Sequence, residues 1–271
     1  MISSPDPSAA TLRSRPQVLC ISGHDPSGGA GIQADIEAVA AQGAHALGVI
    51  TSLTTQNTRN VSRVKPIAPG LLQEQLETLL EDCPIHAIKL GLLGSAEQVR
   101  PIRWIIEQCR VPVVIDPVLR AGGGASLASA QTTVALLDHL LALATVITPN
   151  ASEARALMPA AQTLDEAARG LLAIGCAQVL ITGGDEKTED VENHWHRAGA
   201  APQVFRWPRI PMGFHGAGCT LASTLAARLA LGEDDEAAVL NAQRYVQASL
   251  QRALRVGQGR AIPGRLPLPA A

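Results

Sequence analysis

The sequence predicts an α/β protein in which helices cover both faces of a mostly parallel central sheet. Three observations carry this. Short, continuously apolar runs recur along the 271 residues, as in strands buried on both faces. Segments with helical periodicity separate them. No internal repeat, low-complexity linker or composition shift divides the chain. One domain over residues 17–262 is therefore expected, with a disordered tail at 1–16 and a C-terminal loop tail at 263–271.

The first strand is expected at "QVLCISG" (17–23), an apolar run ending at glycine. "GIQADIEAVAAQG" (31–43) follows as a helix, with Ile32, Ile36 and Val39 at helical spacing and Gly43 as its stop. "ALGVITSLT" (46–54) reads as a strand, and "GLLQEQLETLLED" (70–82) as a helix with Leu72, Leu76, Leu79 and Leu80 on one face. Strands are then expected within 86–93, 111–118, 144–150 and 177–184, with helices near 95–109, 128–143, 152–158 and 164–174. Residues 185–212 carry charge, Pro and Trp and break the rhythm, so a surface hairpin or excursion is expected there. Two helices close the pattern, at about 217–231 and 235–255.

Composition narrows the function. With 46% apolar and 17% charged residues the chain is globular in character, and its net charge of −2 offers no attraction to nucleic acid or an anionic membrane. No run of about 18 apolar residues predicts a membrane span, and the polar N-terminus lacks a secretory h-region. Five scattered cysteines without a CxxC pair fit reduced thiols in the cytoplasm. His194 and His196 have no nearby Cys/His partners and read as part of a solvated loop.

In an open α/β sheet, ligands bind beyond the carboxyl ends of the strands. Gly23, Gln56, Asp116, Asn150, Gly183 and Gly184 all fall just after predicted strands. The glycine-rich stretch "SGHDPSGGAGIQAD" formally contains a dinucleotide pattern, but no Asp or Glu lies between Glu37 and Glu74 to hold a ribose. A Walker A loop is excluded because no Gly-Lys pair occurs. Asp35, one turn into the helix, is either a surface group complementing the dipole or a ligand contact. "FHGAGCT" (214–220) places Gly216, Ala217 and Gly218 before Cys219 at a helix start, where backbone N–H groups converge on an anion. The same field would lower the thiol pKa from about 8.5 toward neutrality and make Cys219 a general base, unless it is an inert buried residue. In "TPNASEA" (148–154), either Asn150 or Ser152 caps a helix with Glu153 in its first turn, or the Asn150/Glu153 pair orders a metal-bound water with Asp116 facing the same ion.

Taken together, "DPSGGAGIQADI" (25–36), "VITSLTTQNT" (49–58), "IKLGLL" (88–93), "VVIDPV" (113–118), "ITPNASEA" (147–154), Gly183-Gly184 and "HGAGCTL" (215–221) resemble the ribokinase-like superfamily. More closely they resemble the hydroxymethylpyrimidine/phosphomethylpyrimidine kinases of thiamin biosynthesis. The resemblance implies a three-layer α/β/α fold, a homodimer, and ATP-dependent phosphorylation of an aminopyrimidine alcohol and its monophosphate. It implies that Gly23, Asp35 and Gln56 hold the pyrimidine, and that Gly216, Ala217 and Gly218 form an anion hole beside the base Cys219. Asn150, Thr182 and Gly184 would bind ATP, and Asp116 and Glu153 would hold Mg2+. The chain departs from the family pattern where lysines are usual, at Thr182 and at Ala121-Gly122-Gly123-Gly124, and where threonine is usual, at Ala217. Arg120 is placed to restore one of the two lost charges. A pyridoxal-type kinase and a non-catalytic pyrimidine-binding relative stay as alternatives.

Overall fold

The computed structural model describes residues 14–120, 123–125 and 127–266. The core of the fold is a nine-stranded sheet in the order β3-β2-β1-β4-β5-β6-β7-β8-β9. Strands β1 (Gln17–His24), β2 (His45–Gln56), β4 (Ala87–Leu90), β5 (Val113–Ile115), β6 (Val146–Ile147) and β7 (Gln178–Ile181) run parallel. β3 (Val61–Pro66) pairs antiparallel with β2 at one edge, and β8 (Asp190–Arg197) and β9 (Gln203–Pro208) extend the other edge antiparallel.

Alternation along the strands divides the core in two. Leu19 and Ile21 of β1 face one side, where α2 (Pro69–Asp82) contributes Leu72 and Leu76, and α3 (Val99–Cys109) contributes Ile102 and Ile105. Helices α4 (Ala130–His139), α5 (Ala151–Leu157) and α6 (Leu164–Ile174) complete that layer. Val18 and Cys20 face the other side, against α1 (Gly31–Ala41), α7 (Ala217–Ala230) and α8 (Asp235–Gln251) through Ile32, Leu225 and Val239. Leu72 and Leu76 are fully buried; truncating either to Ala would cost about 2–5 kcal/mol. α1 stops as the sequence predicts, with Gly43 at φ 88° beyond its C-cap.

Four expectations need correction. β3 carries the mixed pattern of a solvated edge strand, "VSRVKP", and had no apolar run to signal it. The hairpin expected within 185–212 is present as β8 and β9, but it extends the main sheet rather than standing apart on the surface, because Trp195 buries its ring completely and β8 zips onto β7 over four register pairs. His194 and His196 therefore lie on β8 rather than in a solvated loop, with His196 buried. Among the described residues no group of three His, Cys, Asp or Glu could hold a metal there or elsewhere. Finally, the last described residues do not hang free. Arg265 is 1% exposed, pairs with Glu37 at 3.0 Å, and donates to Thr220 Oγ1 at 2.9 Å and to the carbonyls of Gly28 and Gly29. The expected tails at 1–13 and 267–271 lie outside the described residues, as do Ala121 and Gly122. Among the described residues no helix is long and apolar enough to cross a membrane.

Candidate active site

A cavity of about 800 Å³ opens along the carboxyl ends of the parallel strands. Gly23, Gln56, Asp116, Asn150, Thr182, Gly184, Glu153 and residues 216–219 all line it. The topology explains this convergence, since every parallel strand from β1 to β7 ends at the same edge.

At one end the turn before α7 is shaped by glycine. Gly216 has φ 89°, and a Cβ there would lie 1.8 Å from the Gly29 carbonyl oxygen. The two glycine-rich segments are thus in direct contact, which no β-carbon would permit. α7 has no side-chain N-cap and no acidic residue in its first turn, so its leading N–H groups stay available to a ligand. α5 also opens on the cavity, but its N-terminus is filled. Asn150 and Glu153 form a capping box, with Glu153 N to Asn150 Oδ1 at 2.8 Å and Asn150 N to Glu153 Oε2 at 3.0 Å. Asp185 accepts from Ala151 N and Ser152 N at 3.2 and 2.9 Å. Of these two helix ends, the one available to an anion is therefore that of α7.

Cys219 lines the cavity together with Asp116 and Gly31, and both bear on its thiol. The expected lowering of its pKa is reversed. Burial pushes the thiol well up, Asp116 adds to this, and the charge of Lys89 opposes it only in part. The field of one helix end is smaller than the desolvation of a thiol held against carboxylates. Glu153 is likewise raised to about 8, by burial and then by the charge of Asp116, despite the N–H groups of Asn150 and Leu119. Asp116 is raised by burial, with Lys89 acting against it.

Asp35 sits beneath the cavity floor. It is fully buried, does not line the cavity, and forms an ion pair with Lys89 of β4. Lys89 Nζ donates to both carboxylate oxygens, at 2.8 and 2.9 Å, and to Ser22 Oγ at 2.9 Å, while Ser223 Oγ of α7 donates to Asp35 at 2.7 Å. This network ties β1, β4, α1 and α7 together under the site. Burial alone would lower Lys89, but the charges of Asp35, Cys219 and Asp116 hold it above the ordinary lysine range.

Three residues outside the predicted site, Asp25, His215 and Asn193, also shape it. Asp25 is 2% exposed and accepts from Ser27 N at 2.8 Å, Ser27 Oγ at 2.7 Å, Ala30 N at 2.9 Å and His215 Nε2 at 2.7 Å. Burial would raise its pKa, but the hydrogen bonds from His215, Gln56 and Ser27 outweigh that and hold it well below the carboxylate range. His215 and Asp25 therefore join the anion turn to the first glycine loop. At the other end, Asn193 accepts from Gly183 N at 3.1 Å and donates to Gln243 at 2.8 Å, fixing the Gly183-Gly184 turn against α8. Asp25 and His215 fell inside quoted motifs, so a search for acid–imidazole pairs between those motifs could have found them.

The sequence model of the phosphomethylpyrimidine kinase family matches residues 25–263. The chain belongs to that family. It is 40% identical over 249 residues to the hydroxymethylpyrimidine/phosphomethylpyrimidine kinase of Synechococcus elongatus, covering 90% of this chain and 95% of the relative. It is 37% identical over 257 residues to the Escherichia coli enzyme of the same name, covering 90% and 95%. Among solved structures, a Bacillus subtilis pyridoxal kinase in an ADP complex superposes with a TM-score of 0.85 at 30% identity, covering 93% and 98% of the two chains. A Clostridium difficile phosphomethylpyrimidine kinase superposes with a TM-score of 0.76 at 30% identity, covering 87% and 100%. The α/β architecture is that of these ribokinase-like kinases. As a member of the phosphomethylpyrimidine kinase family, the chain has the glycine turn of α7, Cys219, Gly23 and Gln56 around one cavity and keeps Asp35 below it.

Proposed function

We propose that this kinase uses ATP to phosphorylate the hydroxymethyl group of an aminopyrimidine alcohol, and then phosphorylates the resulting monoester. The observation that carries the reading is the uncapped turn 216–219 sharing one cavity with Cys219, Gly23 and Gln56. Gln56, with an amide that both donates and accepts, suits the edge of an aminopyrimidine. Asp35 supports this edge from below through the network rather than by contact.

Val191, Trp207, Val246 and Leu250 line an apolar stretch of the cavity that suits a nucleobase. Asn150, Thr182 and Gly184 would then pass the phosphates toward α7. The buried carboxylates of Asp116 and Glu153, both raised above the ordinary carboxylate range by burial, are a donor set suited to a hard divalent cation. A bound Mg2+ ion would supply the positive charge that balances Asp116 next to the thiol. Cys219 would take the hydroxymethyl proton as the thiolate, a form that the charge of Lys89 and a bound cation would favour against burial and Asp116. The N–H groups of 216–219 would bear the charge of the transferring group, so positioning and electrostatics dominate the acceleration. In the second phosphorylation the nucleophile is an ionised phosphate, which needs no base.

A pyridoxal-type kinase is the second reading, favoured by the fold likeness to pyridoxal kinases. A homodimer is proposed by analogy with the family. The test incubates the protein with the hydroxymethylpyrimidine, or with pyridoxal, in ATP and Mg2+, and follows products by ³¹P NMR. Pyrimidine mono- and diphosphate are expected; turnover of pyridoxal alone would replace the first reading with the second.

A further inference from the structure

Two phosphates must meet in the second step, one on the substrate and one on ATP, and their repulsion has to be offset. A helix N-terminus offers only about half a charge, and no lysine is among the described residues lining the cavity. Three arginines line it, Arg120, Arg209 and Arg260. The Arg209 guanidinium is consumed by main-chain carbonyls, at 2.8 Å to Thr188 and 3.0 Å to Gly184. Arg120 is exposed.

Arg260 is different. It is half-buried, and among the described residues its guanidinium has no hydrogen-bond or ion-pair partner. Its main chain is nevertheless pinned. Arg260 N donates to Thr58 O at 3.0 Å, Gly259 N donates to Thr58 Oγ1 at 3.0 Å, and a Cβ on Gly259 would lie 2.3 Å from Thr58 backbone. Thr58 lies two residues beyond Gln56. On the other side, His215 N donates to Ala261 O at 2.9 Å, and the Arg260 side chain runs alongside Gly213, its Nε 3.7 Å from where a Cβ would stand. The loop is thus clamped between the strand end carrying Gln56 and the turn leading to the α7 amides.

Building on the function proposed above, we infer that Arg260 holds the phosphate of the monoester substrate and sets specificity for the second phosphorylation. A planar guanidinium with free donors matches a phosphate in a bidentate mode. An alcohol substrate has no group there to engage it.

The test compares Arg260→Met and Arg260→Lys with the wild-type protein on the pyrimidine alcohol and on its monophosphate. Calorimetric titration of the monophosphate in the absence of ATP supplies a readout beside activity. Arg260→Met should raise KM and Kd for the monophosphate by about tenfold or more, with KM for the alcohol held within about twofold. Arg260→Lys should fall between. Equal effects on both substrates, or no change in monophosphate binding, would overturn the assignment. Because the wild-type alcohol assay stands apart, its failure would strike the proposed function, whereas normal alcohol turnover with an indifferent Arg260→Met would strike this inference alone.

Discussion

Replacing Lys89 with methionine removes a charge from the most buried ion pair among the described residues. Both partners are fully buried, and Lys89 supplies three hydrogen bonds, two to Asp35 and one to Ser22. Methionine keeps most of the apolar stem, so the loss is electrostatic rather than a cavity. Among the described residues Asp35 would be left with Ser223 as its hydrogen-bond donor, at 2.7 Å. Breaking one side of such a pair costs about 3–5 kcal/mol, which multiplies the unfolded fraction by roughly a hundred to a few thousand. Urea unfolding measures this directly through the midpoint. Adding Asp35→Asn to Lys89→Met removes the stranded charge and should recover much of the loss, a coupling that a double-mutant cycle isolates. A Lys89→Met protein within about 1 kcal/mol of wild type, or a double variant no better than additive, would refute the reasoning. Asp35→Asn alone also separates the two roles of Asp35. A structural tie predicts lost stability; a direct substrate contact would instead raise KM with stability intact.

Other outcomes follow from the same geometry. Gly216→Ala places a Cβ 1.8 Å from the Gly29 carbonyl at a φ of 89°, and should destabilise by more than about 2 kcal/mol in chemical unfolding. Gly184→Ala, with nothing within 4 Å of its Cβ position, should stay within about 0.5 kcal/mol and act on KM for ATP if at all. Glu153 is raised from 4.5 to about 8, so the folded metal-free protein binds a proton that the unfolded chain releases. Its stability should therefore fall as pH rises from about 4.5 to 8, by up to a few kcal/mol. Glu153→Gln, which can still complete the capping box, should flatten that fall in pH-dependent thermal melts, and an unchanged slope would contradict it.

Much of the fold was legible because its parallel strands are buried on both faces and so appear as unbroken apolar runs. β7, "QVLI", is buried at every position and could be read directly. β3 could not, since an edge strand exposing Ser62, Arg63 and Lys65 has no periodicity to betray it. β8 was hidden for another reason: its buried members include the polar residues His196 and Asn193, and Asn193 finds its partner Gln243 only once the sheet and α8 have formed. The site's outline was legible at the strand ends, because glycine, asparagine and aspartate there have few structural alternatives. Its electrostatics were not. The reversal at Cys219 comes first from burial and then from Asp116, 103 positions away by number, and neither exists before folding. Lys89 lay inside an apolar strand motif, and nothing local to "IKLGLL" told that its ammonium would reach Asp35. Arg265 likewise had no signal in a proline-rich terminus, although it holds both glycines of the first loop.

The central claim is that a sulfur beside the α7 amides serves the alcohol step and is dispensable for the phosphate step. Single-turnover assays of Cys219→Ser on the pyrimidine alcohol and on its monophosphate, each with ATP and Mg2+, test it most directly. The account predicts that alcohol phosphorylation slows by about 10²–10⁴-fold while monophosphate phosphorylation stays within about tenfold of wild type. Equal losses in both steps, or an undiminished alcohol step, would contradict it.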